Sequence, residues 1–237
     1  MITRGGRRRT PLFGADDRGL AIDLVLTHTE DNQKWDGMIF KPGGDADPRR
    51  KRLAVLVVHG SVGNYLTGVP RRVSFGLAQA GFTVLSVNPR MANYGVIFGG
   101  GLMHRTPLDI DAALAVLRRR GFRRIVLLGF SQGACLSLEY AARNPRRYGA
   151  VLALSGGLIG ETIAAGDYAG SLDGTPVFLG CSDVDPFVPL ARVQETAAIM
   201  EDLGGAVTLR IYPNAAHTIV NDEIDHIRAI LDKMLAQ

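Results

Sequence analysis

Short apolar runs alternate along this chain with stretches of helical spacing. Residues 53–58 (LAVLVV), 125–128 (IVLL), 150–154 (AVLAL) and 176–179 (PVFL) are nearly unbroken hydrophobic runs. That is the pattern of strands buried on both faces of a sheet. Residues 82–87 (FTVLSV) continue the series, and 207–212 (VTLRIY) alternates. Between and after these runs, apolar residues recur at helical spacing over 69–80, 106–120, the stretch following Gly133, 189–203 and 222–235. Nearer the start, 21–27 (AIDLVLT) and 36–40 suggest an antiparallel hairpin at the sheet edge, with His28 as a surface residue near its turn. Strands alternating with helices predict an α/β fold, a mostly parallel central sheet of about eight strands with helices on both faces.

Local punctuation sharpens the element ends. Gly81 suits a helix C′ position after 69–80. Thr106 is placed to cap the next helix, with Pro107 at its first position and Asp109 in its first turn. Residues 43–52 form a polar, turn-rich connection. The segment 88–107 (NPRMANYGVIFGGGLMHRTP) is the least regular part of the body and is expected to be a flexible loop over the rim of a site. Its glycine triplet has neither the preceding strand at motif spacing nor the following Lys of a phosphate cradle. Residues 155–173 are glycine-rich and too few to build a cap of several helices, which leaves a shallow, open cleft. Residues 1–17 are basic and aperiodic and read as a mobile arm, with 18–237 as one domain.

Charge and composition mainly exclude. Apolar residues make up 46% and charged residues 21% of the 237, an ordinary globular balance. The formal net charge is +4, and Arg4, Arg7, Arg8 and Arg9 account for that excess. The basic character is therefore that of a tail, with local clusters at 49–52 and 118–120, and no sustained basic face with interleaved aromatics marks a nucleic-acid binder. Cys135 and Cys181 are the two cysteines, too few and too isolated for a disulfide framework, and suit a reducing compartment. No apolar run is long enough to span a membrane, and PLFGADDRG after the N-terminal arginines is no export signal core, so a cytoplasmic protein is expected.

The chemistry concentrates at GFSQG, residues 129–133, between the buried run 125–128 and the helical pattern after it. Two glycines bracketing Ser131 suit a sharp strand-to-helix turn that lifts a hydroxyl above a helix N-terminus. A serine alone is a poor nucleophile and needs a base and an acid. Asp183 and Asp185 follow the strand 176–179, and His217 follows 207–212. Serine, acid, histidine, each beyond the C-terminal end of a successive strand, is the chain order of α/β-hydrolases. Of the five histidines, only His217 lies late in the chain just past a strand, whereas His226 falls inside a helix. Asp183 and Asp185 are two apart, so periodicity alone leaves both open, while Pro186 fixes the backbone at Asp185. His59 and Gly60 end the strand 53–58, where the turn directs the backbone N–H of Ser61 toward Ser131. Together with the N–H of Gln132 it forms the expected oxyanion hole, and His59 is expected to pin the loop. No His/Cys/Asp set has metal-ligand spacing, so neither a metal nor another cofactor is expected.

GFSQGACLSLEYAARNP, the D-P-F-V-P after Val184 and the late His217 resemble the phospholipase/carboxylesterase (acyl-protein thioesterase-like) branch of the α/β-hydrolases. The resemblance runs from about Arg123 to His217, is looser before it, and departs at Ala134, where that family usually has a second glycine. It implies an α/β-hydrolase fold without a large cap domain and selects Asp185 as the acid through the D-x-x-V-P pattern. It implies an acyl-enzyme on Ser131; Phe130, Leu158, Phe187, Val188 and the Tyr94 loop are the expected pocket walls. The expected substrate is a small or medium carboxylic ester or thioester, acted on by a monomer or homodimer. The alternatives are a dienelactone-hydrolase-like lactonase, a family that typically carries Cys where this chain has Ser131, and a non-catalytic binding protein of the same fold.

Overall fold

The computed structural model describes residues 20–42, 49–61, 63–90 and 105–236. The N-terminal arm at 1–17 and most of the rim segment, 91–104, including Tyr94, lie outside the described residues. Eight strands form one sheet in the order β1-β2-β4-β3-β5-β6-β7-β8. They are β1 (Ala21–His28), β2 (Lys34–Lys41), β3 (Leu53–Val58), β4 (Thr83–Asn88), β5 (Arg124–Phe130), β6 (Ala150–Leu154), β7 (Pro176–Ser182) and β8 (Ala206–Tyr212). The β1–β2 hairpin is antiparallel, β2 also runs antiparallel to β4, and β3 through β8 are parallel neighbours.

Among the described residues, five α-helices cover the sheet: α1 (Gly68–Gln79), α2 (Thr106–Arg119), α3 (Gln132–Arg143), α4 (Leu190–Asp202) and α5 (Asn221–Leu235). The unbroken apolar runs become intelligible here. Along β3, Ala54, Leu56 and Val58 pack with α2, α3 and α4, while Leu53, Val55 and Val57 pack with α1 and α5. β5 divides likewise, with Ile125 and Leu127 on one side and Val126 and Leu128 on the other. A strand whose two faces are both covered has no polar face, which is why alternation vanishes from its sequence.

Helix ends follow the glycines. After α1, Gly81 adopts φ +93°, its N–H bonds the Ala78 carbonyl and the Phe82 N–H bonds that of Leu77. These paired bonds satisfy the last carbonyls and stop the helix. The start of α2 differs from expectation by one residue. Arg105 occupies the N-cap, so Thr106 is the first helical residue and Pro107 the second. Proline is tolerated at either early position because those N–H groups have no intrahelical acceptor.

Two features shape the end of the sheet at which the parallel strands finish. Residues 155–175, between β6 and β7, contain one short 3₁₀ turn (Ala165–Asp167), and no helical cap is built there. The buried Arg90 ties β4 to the start of α2: its backbone N–H reaches Asp109 Oδ2 at 2.8 Å, and its guanidinium bonds both Asp109 and Asp31. Among the described residues, no helix is long and apolar enough to cross a membrane.

Candidate active site

Three loops at the C-terminal ends of parallel strands converge on one point. Ser131 follows β5, Asp185 follows β7 and His217 follows β8. Ser131 has φ 55° and ψ −127°, a backbone state that L-residues avoid and that persists only where surrounding structure imposes it. The neighbouring glycines show how it is imposed. A Cβ on Gly129 would lie 2.2 Å from the Gly133 carbonyl oxygen, and one on Gly133 would lie 2.1 Å from the Val58 carbonyl oxygen. Strand, turn and helix approach too closely for side chains at either place. Ala134, where the resembling family usually has glycine, has its methyl group against Gly156, where an added Cβ would come within 2.4 Å of it. The missing side chain at Gly156 makes room for the extra one at Ala134.

His217 lies between the other two groups. Its Nε2 is 2.9 Å from Ser131 Oγ, and its Nδ1 is 2.6 Å from Asp185 Oδ2. The Asp185 carboxylate is fully enclosed, and its second oxygen accepts the N–H groups of Phe187 (2.9 Å) and Val188 (3.0 Å). Burial pushes the carboxyl pKa up, but the bond from His217 and the two backbone N–H groups outweigh burial and hold it below its usual value. An ionised carboxylate can only accept, so Nδ1 carries the proton and Nε2 presents its lone pair to the Ser131 hydroxyl. The geometry can therefore move a proton from Ser131 to His217 while an anion stabilises the resulting imidazolium.

Asp183 has a different position. It is exposed, and its Oδ1 accepts the N–H of Asn214 at 2.8 Å, bridging the loop after β7 to the loop after β8. Asp185 is the aspartate beside His217.

The β3 end supplies the opposite wall. A Cβ on Gly60 would lie 3.0 Å from Ser131 Cβ and 3.5 Å from its Oγ, so the backbone entering Ser61 passes directly beside the hydroxyl. The Gly60 carbonyl accepts both His59 Nδ1 (2.6 Å) and the Gly63 N–H (3.3 Å), which curls the loop. Burial lowers the His59 pKa against the bond to Gly60 and an interaction with Asn88, so the ring stays neutral and acts on the backbone. Gln132 is the first residue of α3, at the positive end of that helix.

The expected pocket walls divide. Phe130 and the largely exposed Phe187 both flank the His217 ring, at 5.0 Å and 4.9 Å between centroids. Leu158 and Val188, expected beside them, are instead buried in the core with α2, α3 and α4, at 2% and 9% exposure. The Leu158 N–H is bonded to Thr196 Oγ1 on α4 at 2.9 Å, and Arg192 grips the carbonyls of Leu158, Gly160 and Glu161. The 158–161 segment is thereby pulled inward and Leu158 fills the core, while Val188 is held by its own N–H on Asp185.

Sequence reasoning passed over one group close to the site. Glu223, in the first turn of α5, is 1% exposed, and its Oε2 accepts the Val220 N–H at 2.8 Å, closing the loop that carries His217. Its other oxygen occupies the space left by Gly180 on β7, where a Cβ would come within 2.1 Å. Burial pushes its pKa up to about 7 against the single bond from Val220. Between the two carboxyl groups lies Cys181, whose thiol is 3.9 Å from Asp185 Oδ2 and is pushed up to about 12 by burial and the Asp185 charge. It stays protonated and is no rival nucleophile.

Comparison with known proteins gives a family and a fold. Residues 110–235 match the phospholipase/carboxylesterase family. Acyl-protein thioesterase 1 of Gibberella zeae is 36% identical over 116 residues, 47% of this chain and 48% of that protein. The chain spans about half the length of the curated relatives it matches. The crystal structure of a phospholipase/carboxylesterase from Dyadobacter fermentans is 28% identical and covers 89% of this chain and 97% of its own, with a TM-score of 0.67. A cold-adapted esterase from an Arctic intertidal metagenomic library shares the fold at 18% identity and a TM-score of 0.67, covering 93% of this chain and 95% of its own.

Proposed function

Since the chain belongs to the phospholipase/carboxylesterase family, we propose that it is a serine hydrolase that cleaves small or medium carboxylic esters or thioesters through an acyl-enzyme on Ser131. The observation that carries this reading is the pair of hydrogen bonds on His217, 2.9 Å to Ser131 and 2.6 Å to Asp185. His217 takes the Ser131 proton as the oxygen attacks the acyl carbonyl, and the N–H groups of Ser61 and Gln132 receive the negative charge that develops. Collapse of the tetrahedral species expels the alcohol or thiol, which takes the proton from His217. Water, activated by the same imidazole, then releases the acid. Asp185 keeps the ring in the required tautomer throughout. Phe130 and Phe187, whose rings lie 5.0 Å and 4.9 Å from the imidazole, offer apolar surface to a short acyl or alcohol group, and the absence of a cap between β6 and β7 supports an open cleft.

The test is Ser131→Ala. The change leaves φ 55° to a residue no worse suited to it than serine, so folding is expected to be intact while p-nitrophenyl acetate turnover falls by roughly three to six orders of magnitude. Wild-type protein should take up one fluorophosphonate label at Ser131. Retention of a tenth of the wild-type rate by the alanine variant would overturn the assignment.

A further inference from the structure

At the opposite end of the sheet lies a feature that ester hydrolysis does not use. A groove of about 590 Å³ opens among the N-terminal ends of β5, β7 and β8, the turn before β6 and the last turns of α5. Arg123, Arg124, Arg147 and Lys233 line it, and no carboxylate does. Several cations elsewhere are paired: Arg90 with Asp31 and Asp109, Arg143 with Glu139, Arg192 with Glu195 and Arg228 with Asp225. None of the four groove cations has an ion-pair partner among the described residues, and Arg147 donates only to the Asp173 carbonyl, at 2.5 Å. Four like charges around one concavity repel one another, a cost that a bound anion removes.

The groove has a second quality. Val177, Ile230 and Met234 give it an apolar floor, and Tyr148, whose ring lies under the Arg146 guanidinium at 5.0 Å, closes one side. Its volume is that of an ordinary small-molecule site. Cations at the mouth and apolar surface below suit an anion carrying an organic body, and three guanidinium forks suit the oxygens of phosphate in particular. A concave form of this size holds one ligand, whereas a flat basic face would serve an extended polyanion.

We propose that this groove is a binding site for an organic phosphate, with the phosphate groups held by Arg123, Arg124, Arg147 and Lys233 and the organic part on the apolar floor. The seven residues of β5 separate it from Ser131 by roughly 20 Å, so its occupant is not the substrate of the hydrolytic reaction. The same chemistry is available from a soluble phosphate ester or from a lipid headgroup.

The experiment uses the full chain at near-physiological salt. Calorimetric titration and thermal melts are run with magnesium-free ATP and with inorganic pyrophosphate, and sedimentation is run with phosphatidylcholine vesicles with and without phosphatidic acid. At ten times the dissociation constant, the midpoint should rise by roughly 3–5 °C. The double variant Arg123→Glu/Lys233→Glu changes two exposed side chains and should lose the binding while keeping wild-type p-nitrophenyl acetate turnover. Binding of ATP in preference to pyrophosphate supports a soluble ligand with an organic body, and binding only to phosphatidic acid vesicles assigns the phosphate to a lipid. Absence of binding to every probe, or equal binding by the double variant, overturns the proposal.

Discussion

Two buried carboxyl groups lie within a few residues' reach of the end of β7, and their environments drive them apart. Asp185 accepts hydrogen bonds from His217, Phe187 and Val188, and its pKa is held below the usual value. Glu223 accepts one, from Val220, and its pKa is pushed up to about 7. Burial raises both, the Asp222 charge adds to it at Glu223, and the three donors on Asp185 against the single one on Glu223 turn the balance. A hydrogen bond to a charged group contributes about 1.5–3 kcal/mol, and full burial can shift a carboxyl by about 3–5 pK units. Three donors can therefore exceed the burial cost, and one cannot. A carboxyl that must be ionised to orient a histidine is built with donors on every side, whereas one that closes a helix turn can tolerate protonation.

The contrast breaks most visibly at Asp185. Asp185→Asn keeps the shape but replaces an obligate acceptor by an amide that can donate to Nδ1, which supports the wrong tautomer. The expected loss in kcat is roughly three to four orders of magnitude. A loss of less than tenfold under conditions where wild type is saturated would show that His217 does not depend on this carboxylate.

Asp183→Asn is the control for charge in the same loop. Its bond to the Asn214 N–H steadies the approach to His217, and asparagine retains an acceptor oxygen. Activity should fall about tenfold or less, consistent with one ordinary hydrogen bond. Should Asp183→Asn prove the more damaged enzyme, the two aspartates exchange roles.

Glu223→Gln sharpens the comparison from the side of stability. Because the folded pKa of Glu223 lies above its unfolded value, the folded state holds the proton longer as pH rises. Wild type therefore loses stability between about pH 4.5 and pH 7, and glutamine, which does not titrate, removes that loss. The upper bound is about 3 kcal/mol. The midpoint difference, variant minus wild type, should be a few °C more positive at pH 8 than at pH 5 in thermal melts. A difference that is flat across this range, or of opposite sign, would show that Glu223 is ionised in the folded protein.

The elements legible in the sequence were those whose cause is local or periodic. Buried runs such as 53–58 and 150–154 announce themselves because both faces of the strand are covered, and Gly81 announces a helix end because few other residues take its φ. Ser131 and His217 could be singled out because each follows a strand in a fixed chain order, whereas Asp183 and Asp185 both do, and Pro186 with the D-x-x-V-P pattern of the resembling family separated them. Leu158 and Val188 looked like cleft walls because proximity along the chain says nothing about which way a loop is pulled. Thr196 and Arg192, some 35 residues from Leu158, draw that segment into the core. Glu223 resembled an ordinary acidic residue in a first helical turn, and its burial depends on Gly180, a glycine in a distant strand. The basal groove was hidden for the same reason, since its cations come from three separated stretches and appear in sequence only as scattered members of a neutral body.

Neither β5 nor α3 alone holds Ser131 at φ 55°. That conformation requires Gly129 to seat against Gly133, and Gly133 against the carbonyl of Val58 on β3. On the proposed mechanism, the hydroxyl is therefore aimed by assembly of β3, β5 and α3 together and not by any one of them.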